Sequence, residues 1–119
     1  MTTHELDVLK QKLRQFALER DWGRYHSPKN LAMALSAEVG ELLEHFQWLT
    51  EEQSGALAPA ELHAVELELA DVLLYLISLA DKLDVDLIAA AHRKIELNAE
   101  KYPVERARGN AKKYDKTNE

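Results

Sequence analysis

Cysteine is absent from this 119-residue sequence, and glycine and proline are scarce, with four and three residues. The lack of cysteine excludes a disulfide framework, a zinc finger with thiolate ligands and a catalytic thiol. Turn-forming residues are also too few for a sandwich or barrel of many short strands. The remaining composition is that of an ordinary globular protein, with 46% hydrophobic and 30% charged residues, and the length allows one domain.

Positive charge is in the minority, because 15 Lys and Arg residues face 21 Asp and Glu residues and leave a net charge of −6. A field of this sign repels duplex nucleic acid, although it does not act against a small phosphate ligand carried on a metal ion. The sequence also lacks an apolar run of about eighteen residues and a start typical of a secretory signal. We therefore expect a cytoplasmic protein with neither duplex nucleic acid nor a membrane as a partner.

Apolar residues recur at spacings of three and four along most of the chain, and no stretch alternates with a period of two. This pattern predicts an all-α protein. The second helix is expected to open at Ser27 and Pro28, a hydroxyl N-cap followed by proline at the first helical position, and Gly23 to mark the break before it. We expect a four-helix bundle, whose helices run from about Thr3 to Arg20, Ser27 to Trp48, Pro59 to Leu83 and Leu87 to Tyr102.

The third predicted helix is apolar on more than one side. Its main stripe runs from Leu62 to Leu83, and Leu67, Leu73 and Ile77 add apolar surface elsewhere on the helix. A helix that is apolar most of the way round has to be covered on most sides. In so small a chain we expect a second subunit to provide this cover, which predicts a homo-oligomer, either a dimer or a tetramer.

Two of the helices carry acidic residues three positions apart, Glu38 with Glu41 and Glu68 with Asp71. At about 100° per residue, both pairs have the same offset from the apolar stripe of their helix. Packed antiparallel, the two helices would bring four carboxylates together at the edge of the core, and Gly40 would permit close approach. Like charges at this spacing cost roughly 0.2–0.5 kcal/mol, whereas a hard divalent cation such as Mg²⁺ takes such oxygen ligands.

Two other interpretations of these acidic residues are open. They are equally compatible with a solvated flank that pairs with Lys or Arg, since glutamate is common on helix surfaces. A ferritin-like di-iron site would need Glu-x-x-His on two helices. The positions three residues before His45, His63 and His92 hold leucine or alanine, so the sequence lacks the imidazole ligands in that pattern.

The acidic pairs stand within an ordered set of residues that resembles the MazG-like all-α nucleoside triphosphate pyrophosphohydrolases, and within them the dCTP pyrophosphatase branch. The similarity covers about Phe16 to Tyr114, nearly the whole chain. Glu-x-x-Glu alone would carry no weight, and the specific signal is the order of the acidic pairs and the aromatic residues. The matching segments include Glu19-Arg20-Asp21-Trp22, His26, Asn30-Leu31, Phe46-Gln47-Trp48, Asp71-Val72-Leu73 and Tyr102-Pro103.

The resemblance implies a Mg²⁺-dependent enzyme, with Mn²⁺ as a substitute, that cleaves a nucleoside triphosphate to the monophosphate and pyrophosphate. It implies that the metal ligands and catalytic groups are Glu38, Glu41, Glu68 and Asp71. Bound metal would neutralise phosphate charge and orient an attacking water. The substrate would be a (deoxy)nucleoside triphosphate, with dCTP or a modified dCTP favoured.

The resemblance also implies which side chains bind the substrate. Aromatic rings would stack on the base, polar side chains would bind its edge, and a face of the fourth helix would contact the phosphates. The residues are Trp22, His26, Asn30, Trp48, Tyr75, Lys94, Asn98, Lys101 and Tyr102. Structural roles for the aromatic residues and a solvated face for the fourth helix remain alternatives. Lys101 departs from the family pattern, since relatives commonly have arginine there, and lysine lacks the bidentate fork.

We therefore expect residues 1–106 to form a single helical nucleotide pyrophosphohydrolase domain, with a polar C-terminal tail over residues 107–119. The alternative function, from a different class, is a non-catalytic helical oligomer that binds a nucleotide or a partner protein. The broad apolar surface of the third helix favours that alternative.

Overall fold

The structure is a computed structural model that describes residues 2–109 and residue 111. Every regular element in these residues is helical, which confirms the all-α class. Of the expected tail, residues 110 and 112–119 lie outside the described part. The helices are α1 (Thr2–Glu19), α2 (Pro28–Glu44), α3 (Glu51–Ser54), α4 (Pro59–Lys82), α5 (Leu87–Lys101) and α6 (Val104–Ala107), with a short 3₁₀ helix (Gly23–Tyr25) between α1 and α2.

Helix α1 ends on an aspartate in the left-handed conformation and not on the glycine expected to break it. Asp21 has a φ of 53°. Its N–H donates to the carbonyl of Leu18, and the N–H of Trp22 donates to the carbonyl of Ala17. These two bonds satisfy carbonyls that the end of a helix leaves without partners, and aspartate tolerates this conformation better than most residues. The helix stops before Asp21-Trp22-Gly23, as expected, but Asp21 and not Gly23 takes the left-handed conformation at the break.

Helix α2 begins as predicted and ends earlier. The side chain of Ser27 accepts a hydrogen bond from the N–H of Asn30, and Pro28 occupies the first turn. Beyond Glu44, the N–H of His45 donates to the carbonyl of Leu42, three residues back. This shorter spacing is that of a 3₁₀ turn. The helix therefore tightens over residues 45–48 instead of running on to Trp48.

The connection between α2 and α4 contains a helical turn that the sequence pattern did not predict. Thr50 and Gln53 form a capping box, in which each side chain accepts a hydrogen bond from the backbone N–H of the other residue. Helix α4 then begins at Pro59, as expected. It ends at a second left-handed aspartate, Asp84, with a φ of 55°, where the N–H of Val85 donates to the carbonyl of Ala80.

Helix α4 packs against both α2 and α1. The pairing of α2 with α4 is antiparallel, because His45 near the end of α2 bonds to Glu61 near the start of α4 (Nδ1–Oε1 distance 2.7 Å). Four side chains in this part of the molecule are buried, and Leu31 of α2 is 1% exposed. The others, all on α4, are Val65, Ile77 and Ala80.

Much of the expected apolar stripe is exposed to solvent in the single chain. Val39 on α2 is 47% exposed and Leu69 on α4 is 53% exposed, although both were expected in the core. On the other sides of α4, Leu67 and Leu73 are also exposed, while Ile77 is buried. A Cβ at Gly40 would meet none of the described atoms within 4 Å, so no described residue makes the close approach that the glycine permits.

The chain divides into two compact units after Val85. In the second unit, the side chain of Asp86 caps α5 by accepting a hydrogen bond from the N–H of Ala89 (3.0 Å). Pro103 follows α5 and begins the short helix α6. The bundle of four helices stays a prediction. Within the described residues, no helix combines the length and apolar character needed to cross a membrane.

Candidate active site

Three carboxylates from two helices meet on one side of the α2–α4 pair. Glu38 and Glu41 lie one turn apart on α2, and Glu68 comes from α4. One carboxylate oxygen of each residue lies within 4.8 Å of an oxygen of each of the others. The antiparallel packing explains the meeting, because residues that share the inner edge of each helix face one another across the contact.

Two of these carboxylates are partly withdrawn from water. Oε2 of Glu38 and Oε2 of Glu68 are buried, and neither has a hydrogen-bond partner among the described residues. Within the first unit, no described Lys or Arg lies within ion-pair distance of these two residues or of Glu41. A solvated flank with basic partners, the alternative left open by the sequence, does not describe this arrangement in that unit.

The neighbouring carboxylates raise the pKa of Glu38. A protonated Glu38 can donate a hydrogen bond to Glu41, and this interaction contributes most to raising the pKa of Glu38 to about 7. Burial contributes next, then the hydrogen bond that a protonated Glu38 could donate to Glu68, and then the negative charges of Glu41 and Asp71. All of these causes disfavour the ionised form. The folded protein therefore holds this carboxylate near the midpoint of its titration at neutral pH.

The donor set fits a hard divalent cation. Carboxylate oxygens are the ligands that such cations prefer, and two of the buried oxygens lack a hydrogen-bond partner among the described residues. A cation bound there would also relieve the repulsion that raises the pKa of Glu38. The three residues that could hold it are Glu38, Glu41 and Glu68.

Asp71, the fourth predicted ligand, is placed differently from its sequence counterpart Glu41. It is close enough to Glu38 for its charge to raise the pKa of that residue, but it does not share the 4.8 Å cluster. Instead, Asp71 lines a neighbouring cavity of about 460 Å³. It therefore lies between the acidic cluster and this cavity.

This cavity, called the α1–α4 cavity below, is largely apolar and is large enough for a small organic ligand. Three residues singled out from the sequence line it, namely Trp22, His26 and Tyr75. Phe16, Lys12 and Ser78 also line it, and the sequence analysis did not select them for the site. The full lining is Leu9, Lys12, Leu13, Phe16 and Ala17 from α1, Trp22 and His26 from the following segment, and Asp71, Leu74, Tyr75 and Ser78 from α4.

Aromatic contacts hold Trp22 at the wall of the cavity. The rings of Phe16 and Trp22 meet edge to face, with centroids 5.6 Å apart, and Trp22 meets His26 in the same way at 6.3 Å. The guanidinium of Arg20 lies over the Phe16 ring, 3.6 Å from its centroid. Such edge-to-face and cation–π contacts each stabilise by about 0.5–1.5 kcal/mol, so the indole orientation is set before any ligand arrives.

Two of the predicted substrate-binding residues lie outside the cavity lining. The side-chain amide of Asn30 donates to the carbonyl of Tyr25 (3.0 Å), which ties the start of α2 to the preceding turn. Trp48 is 86% exposed, in the turn after α2. The structure therefore gives Asn30 a local structural contact and leaves Trp48 on the surface of the single chain.

The four predicted phosphate-binding residues belong to the second unit. Lys94, Asn98 and Lys101 lie on α5 at spacings of four and three, and so share one side of that helix. Tyr102 caps its end, where its N–H donates to the carbonyl of Asn98 (2.8 Å). Within its own unit, this helix presents the predicted donors together.

Taken together, these features define a class of protein: an all-helical domain with an acidic centre able to hold a metal ion beside a cavity lined by aromatic side chains. The sequence profile of the MazG-like family matches residues 33–116, and the chain belongs to this family. This finding confirms the resemblance seen in the sequence.

Individual relatives agree with the assignment. The dCTP pyrophosphatase 1 of Bos taurus is 45% identical over 111 residues, which cover 92% of this chain and 66% of that protein. The Homo sapiens protein of the same name is 43% identical, with 92% and 65% covered. This chain thus spans about two thirds of the length of these curated relatives. A pyrophosphatase of known crystal structure from Archaeoglobus fulgidus is 44% identical, with a TM-score of 0.79 over 84% of this chain and 94% of that one.

Proposed function

We propose that this protein is a Mg²⁺-dependent nucleoside triphosphate pyrophosphohydrolase. Its substrate is a (deoxy)nucleoside triphosphate, dCTP or a modified dCTP, and its products are the monophosphate and pyrophosphate. The observation that carries the proposal is the cluster of Glu38, Glu41 and Glu68, with its two buried oxygens lacking partners, beside a cavity that Asp71 joins to it. The names of the relatives point to the same reaction.

The acidic cluster has a defined part in this reaction. Bound Mg²⁺, or Mn²⁺ in its place, supplies positive charge that neutralises the phosphate oxygens and favours attack by water. Glu38, Glu41 and Glu68 would hold the ion, and Asp71, which lines the adjacent cavity, would be the fourth ligand. One of the glutamates accepts the proton of the attacking water.

The α1–α4 cavity receives the base in this proposal. A flat indole edge-on to two other rings is a stacking surface that needs no reorganisation, and Trp22 offers it. His26 and Tyr75 line the same cavity and can hydrogen-bond the base or sugar. Asn30 supports the turn that carries His26 and Tyr25, while Trp48 is exposed and available to a second chain.

The phosphate contacts and the assembly belong to the same proposal. Lys94, Asn98, Lys101 and Tyr102 of the α5 segment would contact the distal phosphates, within one catalytic domain of residues 1–106 followed by a tail of residues 107–119. The chain would act as a homo-oligomer, dimer or tetramer, and the exposed leucines of α4 support this part. A cytoplasmic location and the absence of membrane and duplex nucleic acid partners stay predictions from composition.

Product identification tests the reaction class. The purified protein is incubated with each deoxynucleoside triphosphate and Mg²⁺ or Mn²⁺, and the products are separated by ion exchange. We expect monophosphate and pyrophosphate in equal amounts, with dCTP or a modified dCTP turned over fastest. Release of inorganic phosphate without pyrophosphate would contradict the proposal, and nucleotide binding without turnover at any divalent metal would favour the non-catalytic alternative.

A pair of isosteric variants tests the metal assignment. Glu41→Gln keeps the shape of the side chain and removes one ligand charge, so we expect helicity to be unchanged and turnover to fall by at least about a hundredfold. Glu66→Gln is the matched control, because Glu66 is an exposed residue of α4 outside the cluster. Full activity of Glu41→Gln, or equal losses in both variants, would show that the cluster is not the metal site.

A further inference from the structure

The two walls of the α1–α4 cavity come from helices that are far apart in sequence. Leu13 and Phe16 belong to the α1 wall, whereas Asp71, Tyr75 and Ser78 belong to the α4 wall. No chain connection holds these walls at a fixed distance, because α1 leads into α2 and not into α4. The width of the cavity is therefore a matter of side-chain contacts between α1 and α4.

Among the described residues, one pair of side chains forms all the hydrogen bonds between α1 and α4. Nε of Arg14 donates to Oδ2 of Asp81 at 2.8 Å, and Nη2 donates to Oδ1 at 2.6 Å. This two-pronged contact spans 67 positions of sequence. It fixes orientation as well as distance, because the planar guanidinium and the planar carboxylate meet in parallel.

Arg14 and Asp81 adjoin the walls of the α1–α4 cavity. Arg14 follows Leu13 of the α1 wall, and Asp81 lies one turn beyond Ser78 of the α4 wall. A second cavity of about 470 Å³ contains the pair and shares Leu13, Ala17, His26 and Ser78 with the first. A displacement of Arg14 or Asp81 would therefore also displace side chains that line both cavities.

We propose that Arg14 and Asp81 act as a positioning pair that sets the separation of α1 from α4 and thereby the fit of the nucleoside in the α1–α4 cavity. The inference rests on the function proposed above, because it assigns that cavity to the base. Neither residue lines the α1–α4 cavity. Both act through the helices that carry its walls.

The pKa values of Arg14 and Asp81 both shift in the direction that favours the charged forms. The hydrogen bonds and charge of Arg14 lower the pKa of Asp81, against the effect of burial, and Lys10 and Lys82 add to the lowering. The hydrogen bonds to Asp81 raise the pKa of Arg14 in turn. Arg14 is 53% exposed and Asp81 is 20% exposed.

Kinetics on four full-length variants test the proposal. Arg14→Gln and Asp81→Asn each remove one partner, and the double variant removes both. Asp7→Asn is the matched control, because it breaks an exposed ion pair with Lys10 (3.4 Å) that lies wholly within α1. We expect each single variant to raise KM for the best nucleotide by about five- to tenfold with kcat within twofold of the parent.

The double variant shows whether Arg14 and Asp81 affect KM together, as a pair, or independently of each other. Because either single substitution already breaks the contact, the double variant should have the same KM as each single variant, which is the signature of coupled residues. Arg14→Lys keeps the charge without the fork and should give an intermediate KM. The Asp7→Asn control should match the parent.

A binding measurement keeps this inference distinct from the proposed reaction. The intrinsic tryptophan fluorescence of the full-length parent and variants reports dissociation constants for the same nucleotide, whether or not it is turned over. Weaker binding in both single variants supports the positioning pair even in a protein without turnover. Unchanged KM and dissociation constants in folded variants, additive effects in the double variant, or a parent protein that binds no nucleotide would overturn it.

Discussion

Replacing Glu38 with glutamine is expected to stabilise the metal-free protein at pH 8. The pKa of Glu38 is raised in the folded state from 4.5 to about 7, first by its interaction with Glu41 and then by burial. A raised folded-state pKa contributes stability that is fully present below pH 4.5 and is lost as the pH rises through about 7. Above that pH, the folded protein has to hold an ionised Glu38 against its neighbours.

The magnitude follows from the size of the change in pKa. A shift from 4.5 to about 7 corresponds to at most about 3 kcal/mol between the two protonation states. Glu41 is exposed, so water and salt screen the repulsion, and a net effect of about 1–2 kcal/mol is expected. Glutamine keeps the shape of the side chain and has no charge, so the variant escapes this penalty.

Urea unfolding in the presence of EDTA, at pH 5, 6, 7 and 8, measures the effect. The free energies of unfolding of the parent and of Glu38→Gln should nearly coincide at pH 5 and separate by about 1–2 kcal/mol at pH 8, with the variant more stable. Glu66→Gln should follow the parent throughout. A Glu38→Gln protein that is no more stable than the parent at pH 8 would refute the assignment of a strained, partly buried carboxylate cluster.

Two further predictions concern the core and the cavity. Leu31→Ala should lower the free energy of unfolding, measured in urea, by about 2–5 kcal/mol, because Leu31 is 1% exposed. Leu43→Ala, on the exposed side of α2, should lower it by less than about 1 kcal/mol, and equal losses in the two variants would contradict the placement of the core. Trp22→Leu should raise KM for the nucleotide by about tenfold or more, because the stacking surface is lost. The KM of Trp48→Leu is measured for comparison. An unchanged KM in Trp22→Leu would show that the base does not bind in the α1–α4 cavity.

Features that depend on neighbouring residues could be predicted from the sequence. The start of α2 follows from Ser27 and Pro28, since the cap and the proline act within one turn. The start of α4 at Pro59 is a local signal of the same kind. The family could also be recognised, because its ordered motifs survive in the sequence.

Helix ends were harder to predict when more than one residue could make them. Glycine is the usual residue in the left-handed conformation, so Gly23 was the natural expectation, yet Asp21 and Asp84 take that conformation here. Residues 45–48 continue the apolar pattern of α2, which hides the tightening after Glu44. Propensity alone does not distinguish a tightened turn from one more turn of α-helix.

In the candidate site, too, helical periodicity predicts some features and not others. A helical wheel places Glu38 and Glu68 at the inner edges of their helices, and the antiparallel packing brings them together with Glu41. The wheel treats Asp71 as the equivalent of Glu41, but α1 packs against α4, and residues of both helices form a cavity beside Asp71. The parts played by Phe16 and Ser78 arise from this packing of distant segments, which periodicity does not encode.

The proposed homo-oligomer would make the stability of the protein depend on its concentration. In the homo-oligomer proposed above, Leu62, Leu69 and Leu73 would leave water when two copies meet, and each square ångström of apolar surface removed is worth about 25 cal/mol. Part of the free energy that keeps the chain folded would then be supplied by mass action. Dilution would melt such a protein at a lower temperature, and its abundance in the cell would be part of what holds the acidic cluster together.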